Sequence, residues 1–72
     1  MLSDLRPGEG AVVRCLGAVG DTRRRLQDIG LISGTAVLCE RKSPLGDPIA
    51  YRIRGATMAL RGTDAGRVEV ER

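Results

Sequence analysis

Histidine is absent from this 72-residue sequence, and with it the usual general base near neutral pH and the commonest imidazole ligand for transition metals. Ser-His and Cys-His dyads are therefore excluded. Phenylalanine and tryptophan are also missing, leaving Tyr51 as the single aromatic, so the stacking platform on which single-strand nucleic-acid binding relies cannot be built. The two cysteines, Cys15 and Cys39, form no C-x-x-C pair, so zinc-ligand spacing is lacking, and they are too few for a disulfide-dense secreted scaffold. A reduced, cytoplasmic setting is expected. The longest charge-free stretch, Ile29 to Cys39, is well short of the roughly 18 apolar residues of a membrane helix. With no apolar segment behind Met1, neither membrane insertion nor export by the usual signal is expected. No glycine-rich stretch has a Walker or dinucleotide frame, and the carboxylates show no EF-hand spacing. These absences point away from an enzyme and from a resident cofactor or metal.

What is present is aliphatic. The core must come from 8 Leu, 6 Val, 4 Ile and 2 Met, enough for one small domain spanning residues 1–72. Ten glycines without a collagen period imply frequent sharp turns between short elements, which favours β structure. Twelve Lys and Arg against nine Asp and Glu give a net charge of +3, but the signs alternate along the chain and supply only a weak case for a polyanion partner.

Along the chain, Pro7-Gly8 marks a turn into a first strand, Ala11–Leu16. Asp21 is suited to cap a short helix, Thr22–Ile29, with Thr22, Leu26 and Ile29 on one stripe and Gly30 as its stop. Thr35–Lys42 reads as a second strand, with Val37 and Cys39 inward; the same reading puts Cys15 on the inner face of the first. Pro44-Leu45-Gly46-Asp47-Pro48 can be neither helix nor strand interior and makes a rigid exposed loop. Ile49–Arg54 alternates, with Ile49, Tyr51 and Ile53 on one face. A two-residue turn at Gly55-Ala56 would pair Ile53 with Met58 and Tyr51 with Leu60. Arg61–Gly66 reads as a tight connection, and Arg67–Glu71 as a last strand with Val68 and Val70 inward. Five short strands would leave one face and both edges of a flat sheet open, so the expectation is a mainly β fold, a small five-stranded barrel with one short helix between its first two strands.

Arg23-Arg24-Arg25 is the most conspicuous charge run. Three consecutive residues fan over about 200° of a helix, and Asp21 and Asp28 are placed to pair with Arg25 at helical spacing, so a self-neutralising solvated face competes with a binding patch. Val12 and Leu38 fall on the outer faces of their strands and Leu45 on the proline loop. They are either singly exposed residues of the ordinary kind or a docking patch.

Several segments together carry a family likeness: Leu2-x-x-Leu5-x-Pro7-Gly8, Arg23-Arg24-Arg25-Leu26-Gln27-Asp28-Ile29-Gly30-Leu31, Ser33-Gly34-Thr35, the Pro44–Ile49 loop, and Arg52-x-Arg54-Gly55. In combination they resemble the FeoA family of bacterial ferrous iron transport, over nearly the whole chain. The resemblance implies an SH3-like barrel and a non-catalytic, cytoplasmic accessory role beside the FeoB membrane permease. It also implies a likeness to the C-terminal barrel of iron-dependent repressors. Two functions follow as expectations. One is a protein-interaction module docking on the cytoplasmic GTPase-containing part of FeoB, with Leu45, Asp47 and Arg24 as partner-binding residues. The other is a metal-responsive regulatory domain. The chain starts almost directly at its first turn, without room for a DNA-binding helix pair, which favours the first.

Overall fold

The computed structural model describes residues 1–72. After a 3₁₀ turn at Leu2–Asp4, the chain forms β1 (Gly10–Leu16), α1 (Gly20–Asp28), β2 (Ala36–Lys42), β3 (Ile49–Ile53), β4 (Ala56–Leu60), the single-turn α2 (Gly62–Ala65) and β5 (Val68–Glu71). The strands make one antiparallel sheet in the order β4-β3-β2-β1-β5. Each strand turns its apolar set to one face, and those faces meet in a single 15-residue core, so the sheet curls around it. β4 and β5 end the order without pairing. Leu26 of α1, Ala65 of α2 and Leu2 of the 3₁₀ turn are all fully buried and complete the wall that five strands leave open.

The sequence reading and the structure part at six places. The β3–β4 hairpin pairs Ile53 with Ala56 and Tyr51 with Met58, two residues away from the expected register. Its turn residues are Arg54 and Gly55, both with positive φ (53° and 81°), as a type I′ turn requires. Because the shift is even, Tyr51 and Ile53 keep their inward orientation.

Cys15 is exposed rather than internal. A bulge in the β1–β5 ladder between Val13 and Cys15 breaks the period of two, as an extra unpaired residue does. At α1, Val19 is the N-cap with no side-chain bond and Asp21 lies inside the first turn, where its charge complements the helix dipole. Arg25 bonds Asp64 of α2 at 3.3 Å instead of an acid on its own helix. The Arg61–Gly66 connection contains a helical turn, and Leu2 and Leu5, which the pattern left unassigned, are core residues.

The C-terminus of α1 follows the sequence closely. Gly30 (φ 105°) sends its N–H to Gln27 and Leu31 sends its own to Leu26, the paired bonds of a Schellman ending. Leu26 and Leu31 are both buried, which aims the chain from α1 back into the core ahead of β2.

Candidate functional site

The residues between Ser43 and Pro48 form a closed loop between β2 and β3. Ser43 donates from both its N–H and its hydroxyl to the Pro48 carbonyl (3.2 and 2.8 Å), and the Gly46 N–H donates to the Ser43 carbonyl at 2.7 Å. Leu45 stands at the tip, 95% exposed. Asp47 is also exposed, but its Oδ1 accepts the Gly62 N–H at 2.6 Å, fastening the loop to the start of α2. Proline-restricted backbone, internal bonds and this tether together hold an apolar tip in water at a fixed position.

The three arginines of α1 have three different fates. Arg23 donates to the Leu16 carbonyl at 3.3 Å, Arg25 pairs with Asp64, and Arg24 is exposed with neither kind of partner. Of the expected partner-binding residues, Leu45 and Asp47 share one loop, whereas Arg24 belongs to a separate element. Val12 and Leu38 are exposed on the outer face of the sheet, as read. There Glu40 accepts from Thr57 (2.6 Å) and Arg52 (3.3 Å), and these donors hold its carboxyl below the usual range.

Sequence reasoning missed a groove of about 540 Å³ between α1, β4 and α2, with Leu26, Ile29, Met58 and Leu60 on its walls and Arg25 and Arg61 beside them. Ile29 and Met58 are only half-buried, the one local sign of it. α1 is far in sequence from β4 and α2, so no periodicity announces it.

Cys15 donates its thiol to Glu69 Oε2 at 2.7 Å across the β1–β5 ladder. That hydrogen bond, with desolvation and the carboxylate's charge, raises the thiol's pKa; less thiolate is present at any given pH, and thiolate is the reactive form. Glu69→Ala is therefore expected to speed alkylation of Cys15 by iodoacetamide several-fold at mildly alkaline pH, followed by mass spectrometry. Buried Cys39 should stay protected in both proteins. Equal rates would mean that the carboxylate does not hold the proton. Nowhere do three or more His, Cys, Asp or Glu side chains gather as a metal-ligand group.

Comparison with known proteins places this geometry in a family. The FeoA domain model matches residues 1–72. A fusion of Fe(2+) transport protein A with the Fe(2+) transporter FeoB from Porphyromonas gingivalis is 36% identical over 70 residues. The match covers 97% of this chain but only 8% of that protein. The solution structure of FeoA from Chlorobium tepidum superposes with a TM-score of 0.90 at 37% identity, over 97% of this chain and 67% of that one. A zinc complex of FeoA from Stenotrophomonas maltophilia, described as a prokaryotic SH3 domain protein, gives 0.86 at 31% identity, over 97% and 87%. A manganese-dependent transcriptional repressor reaches 0.86 at 21% identity, over 97% of this chain and 39% of that one, which shows a shared fold alone. The fold is the SH3-like small barrel, and the chain belongs to the FeoA family.

Proposed function

We propose that the protein is an accessory module of bacterial ferrous iron uptake, a single domain that docks on the cytoplasmic, GTPase-containing part of a FeoB-type permease and modulates transport. The observation that carries this reading is the fusion relative, in which a domain like this one shares a polypeptide with FeoB. Joining two domains raises their effective concentration for each other, and a separate chain reaches the same state by binding. The surface supports it: an apolar tip at Leu45 held rigid by the proline loop, with the Asp47 tether behind it and Arg24 unpaired on α1. No helix is long and apolar enough to cross a membrane, so the role assigned to the chain is to act through the permease. Its side chains supply surface rather than catalysis.

Calorimetric titration against the cytoplasmic domain of FeoB, with GTP and with GDP, tests the reading. Saturable binding is expected. Leu45→Asp should weaken it by about tenfold or more, equivalent to about 1.4 kcal/mol. Arg24→Glu should weaken it by less, and in a salt-dependent way, as a rim charge does. Failure to bind in every nucleotide state would overturn the proposal. The metal-responsive alternative is tested by calorimetry with ferrous and zinc ions: micromolar binding lost on replacing Cys15 and Cys39 would favour it.

A further inference from the structure

β4 is an edge strand without the usual protection. It has β3 on one side and no strand on the other, whereas the opposite edge, β5, packs against the 3₁₀ turn. Open edges are ordinarily blunted by charge, proline or a bulge. The β4 sequence Ala56-Thr57-Met58-Ala59-Leu60 has neither charge nor proline, and its ladder with β3 runs without a break. A two-residue turn makes Ile53 and Ala56 the first hydrogen-bonded pair, and alternation gives Tyr51 with Met58 and Ile49 with Leu60 as the next. Thr57 and Ala59 therefore direct their N–H and C=O groups away from the sheet. Alongside β4 lies the groove of about 540 Å³ walled by Leu26, Ile29, Met58 and Leu60.

We propose that β4 and this groove form a strand-addition site for an extended segment of a partner protein with alternating apolar residues and a carboxylate at its flank. The segment's backbone pairs with Thr57 and Ala59, and every second side chain enters the groove beside Met58 and Leu60, the division of labour by which strand addition combines affinity and specificity. The carboxylate meets Arg61, which has no ion-pair partner, whereas Arg25 is already shared with Asp64. Charge also decides against a second copy as occupant. Antiparallel β4–β4 pairing that uses both outward residues sets Thr57 opposite Ala59 and Arg61 opposite Gly55 of the other chain, one position from Arg54, so a second copy brings arginine rather than a carboxylate to this flank. Leu45 and Asp47 are not among the residues that line this groove, so variants at Leu45 and at Ala59 or Arg61 test the two sites separately.

The test uses a capped synthetic peptide of alternating valine and threonine with glutamate at both ends, and a counterpart ended by lysine. Amide hydrogen exchange is followed by NMR. At saturation the glutamate peptide should slow exchange at Thr57 and Ala59 by about tenfold or more, and the lysine peptide should bind at least about tenfold more weakly. Ala59→Pro removes one outward donor and is compatible with an edge position, so it should keep the fold and lose the peptide. Arg61→Glu should invert the preference between the two peptides, and it decides the matter even if Ala59→Pro fails to fold. The proposal is overturned if neither amide is slowed, if the two peptides bind alike, if folded Ala59→Pro binds unchanged, or if protection rises with protein concentration alone, which would identify a second copy as the occupant.

Discussion

Tyr51→Ala is expected to lower Tm by about 12–40 °C. Tyr51 is the largest of the fully buried side chains, and it lies in the middle of β3 between Cys39 of β2 and Met58 of β4. Its hydroxyl donates to the Leu2 carbonyl at 3.3 Å, fastening the N-terminal turn to the sheet. Removing a large buried aromatic costs about 3–5 kcal/mol. At about 0.05–0.15 kcal/mol per residue, a chain of this length has only about 4–11 kcal/mol of stability. Tyr51→Phe keeps the ring and loses the hydrogen bond, about 1 kcal/mol, and should lower Tm by about 4–8 °C. Far-UV circular dichroism during heating distinguishes the outcomes. An alanine variant melting within a few degrees of the parent would show that the core does not depend on this ring.

The same residue sets a pH limit. Burial, aided by the nearby Cys39, Asp4 and Asp47, pushes the Tyr51 hydroxyl well above its ordinary value. A group that holds its proton more tightly when folded contributes stability that is complete below the unfolded pKa of about 10 and is lost as pH rises beyond it. Alkaline destabilisation should therefore begin near pH 10 in the parent and be weaker in Tyr51→Phe.

Alternation and turn chemistry were sufficient to read five strands and a helix from the sequence, because inward residues recur every second position and glycine marks the places where φ turns positive. They failed where a single residue changed the count. The bulge after Val13 exposes Cys15, and no composition rule marks it. The hairpin register turned on whether Arg54 could adopt positive φ. The structure places it there, at 53°, a conformation that costs an L-residue roughly 1–2 kcal/mol, in return for a ladder that extends to Ile49 and Leu60. Leu2 and Leu5 are too close to the terminus to show a period; the 3₁₀ turn that carries Leu2 packs against β5 and α2, and Leu5 directly after it is buried with it.

The candidate site divides along the same line. Exposure of Leu45 was readable because two prolines and a glycine rule out regular structure around it. The Asp47 bond to Gly62 and the Arg25 pair with Asp64 join residues 15 and 39 positions apart, so they depend on the finished fold. The groove beside β4 depends on it still more, since its walls are a helix and a strand whose proximity no local pattern records.

The second large effect is expected at Gly30, which fixes the angle between α1 and the sheet. A Cβ there would lie 2.8 Å from Arg54 Cδ and 3.3 Å from Ile53 Cγ2, at a φ of 105°. Gly34 provides the control: its φ of 93° is similar, but a Cβ would meet nothing within 4 Å. Gly34→Ala should therefore cost only the backbone strain, about 1–2 kcal/mol. Gly30→Ala adds overpacking of about 1–3 kcal/mol, for a total of about 2–5 kcal/mol and a visibly larger fall in the urea midpoint. Arg54→Gly removes the nearer obstacle and also its own backbone strain, so with Arg54→Gly alone as the reference the double variant Gly30→Ala/Arg54→Gly should lose less than Gly30→Ala does in the parent, a coupling of about 0.5–3 kcal/mol between touching residues. Equal costs at Gly30 and Gly34 would show that α1 yields freely at its C-terminus. In that case the helix wall of the groove would be adjustable, and peptide affinity at β4 should be unchanged in Gly30→Ala; if the helix is held as the contacts indicate, that affinity falls together with the stability.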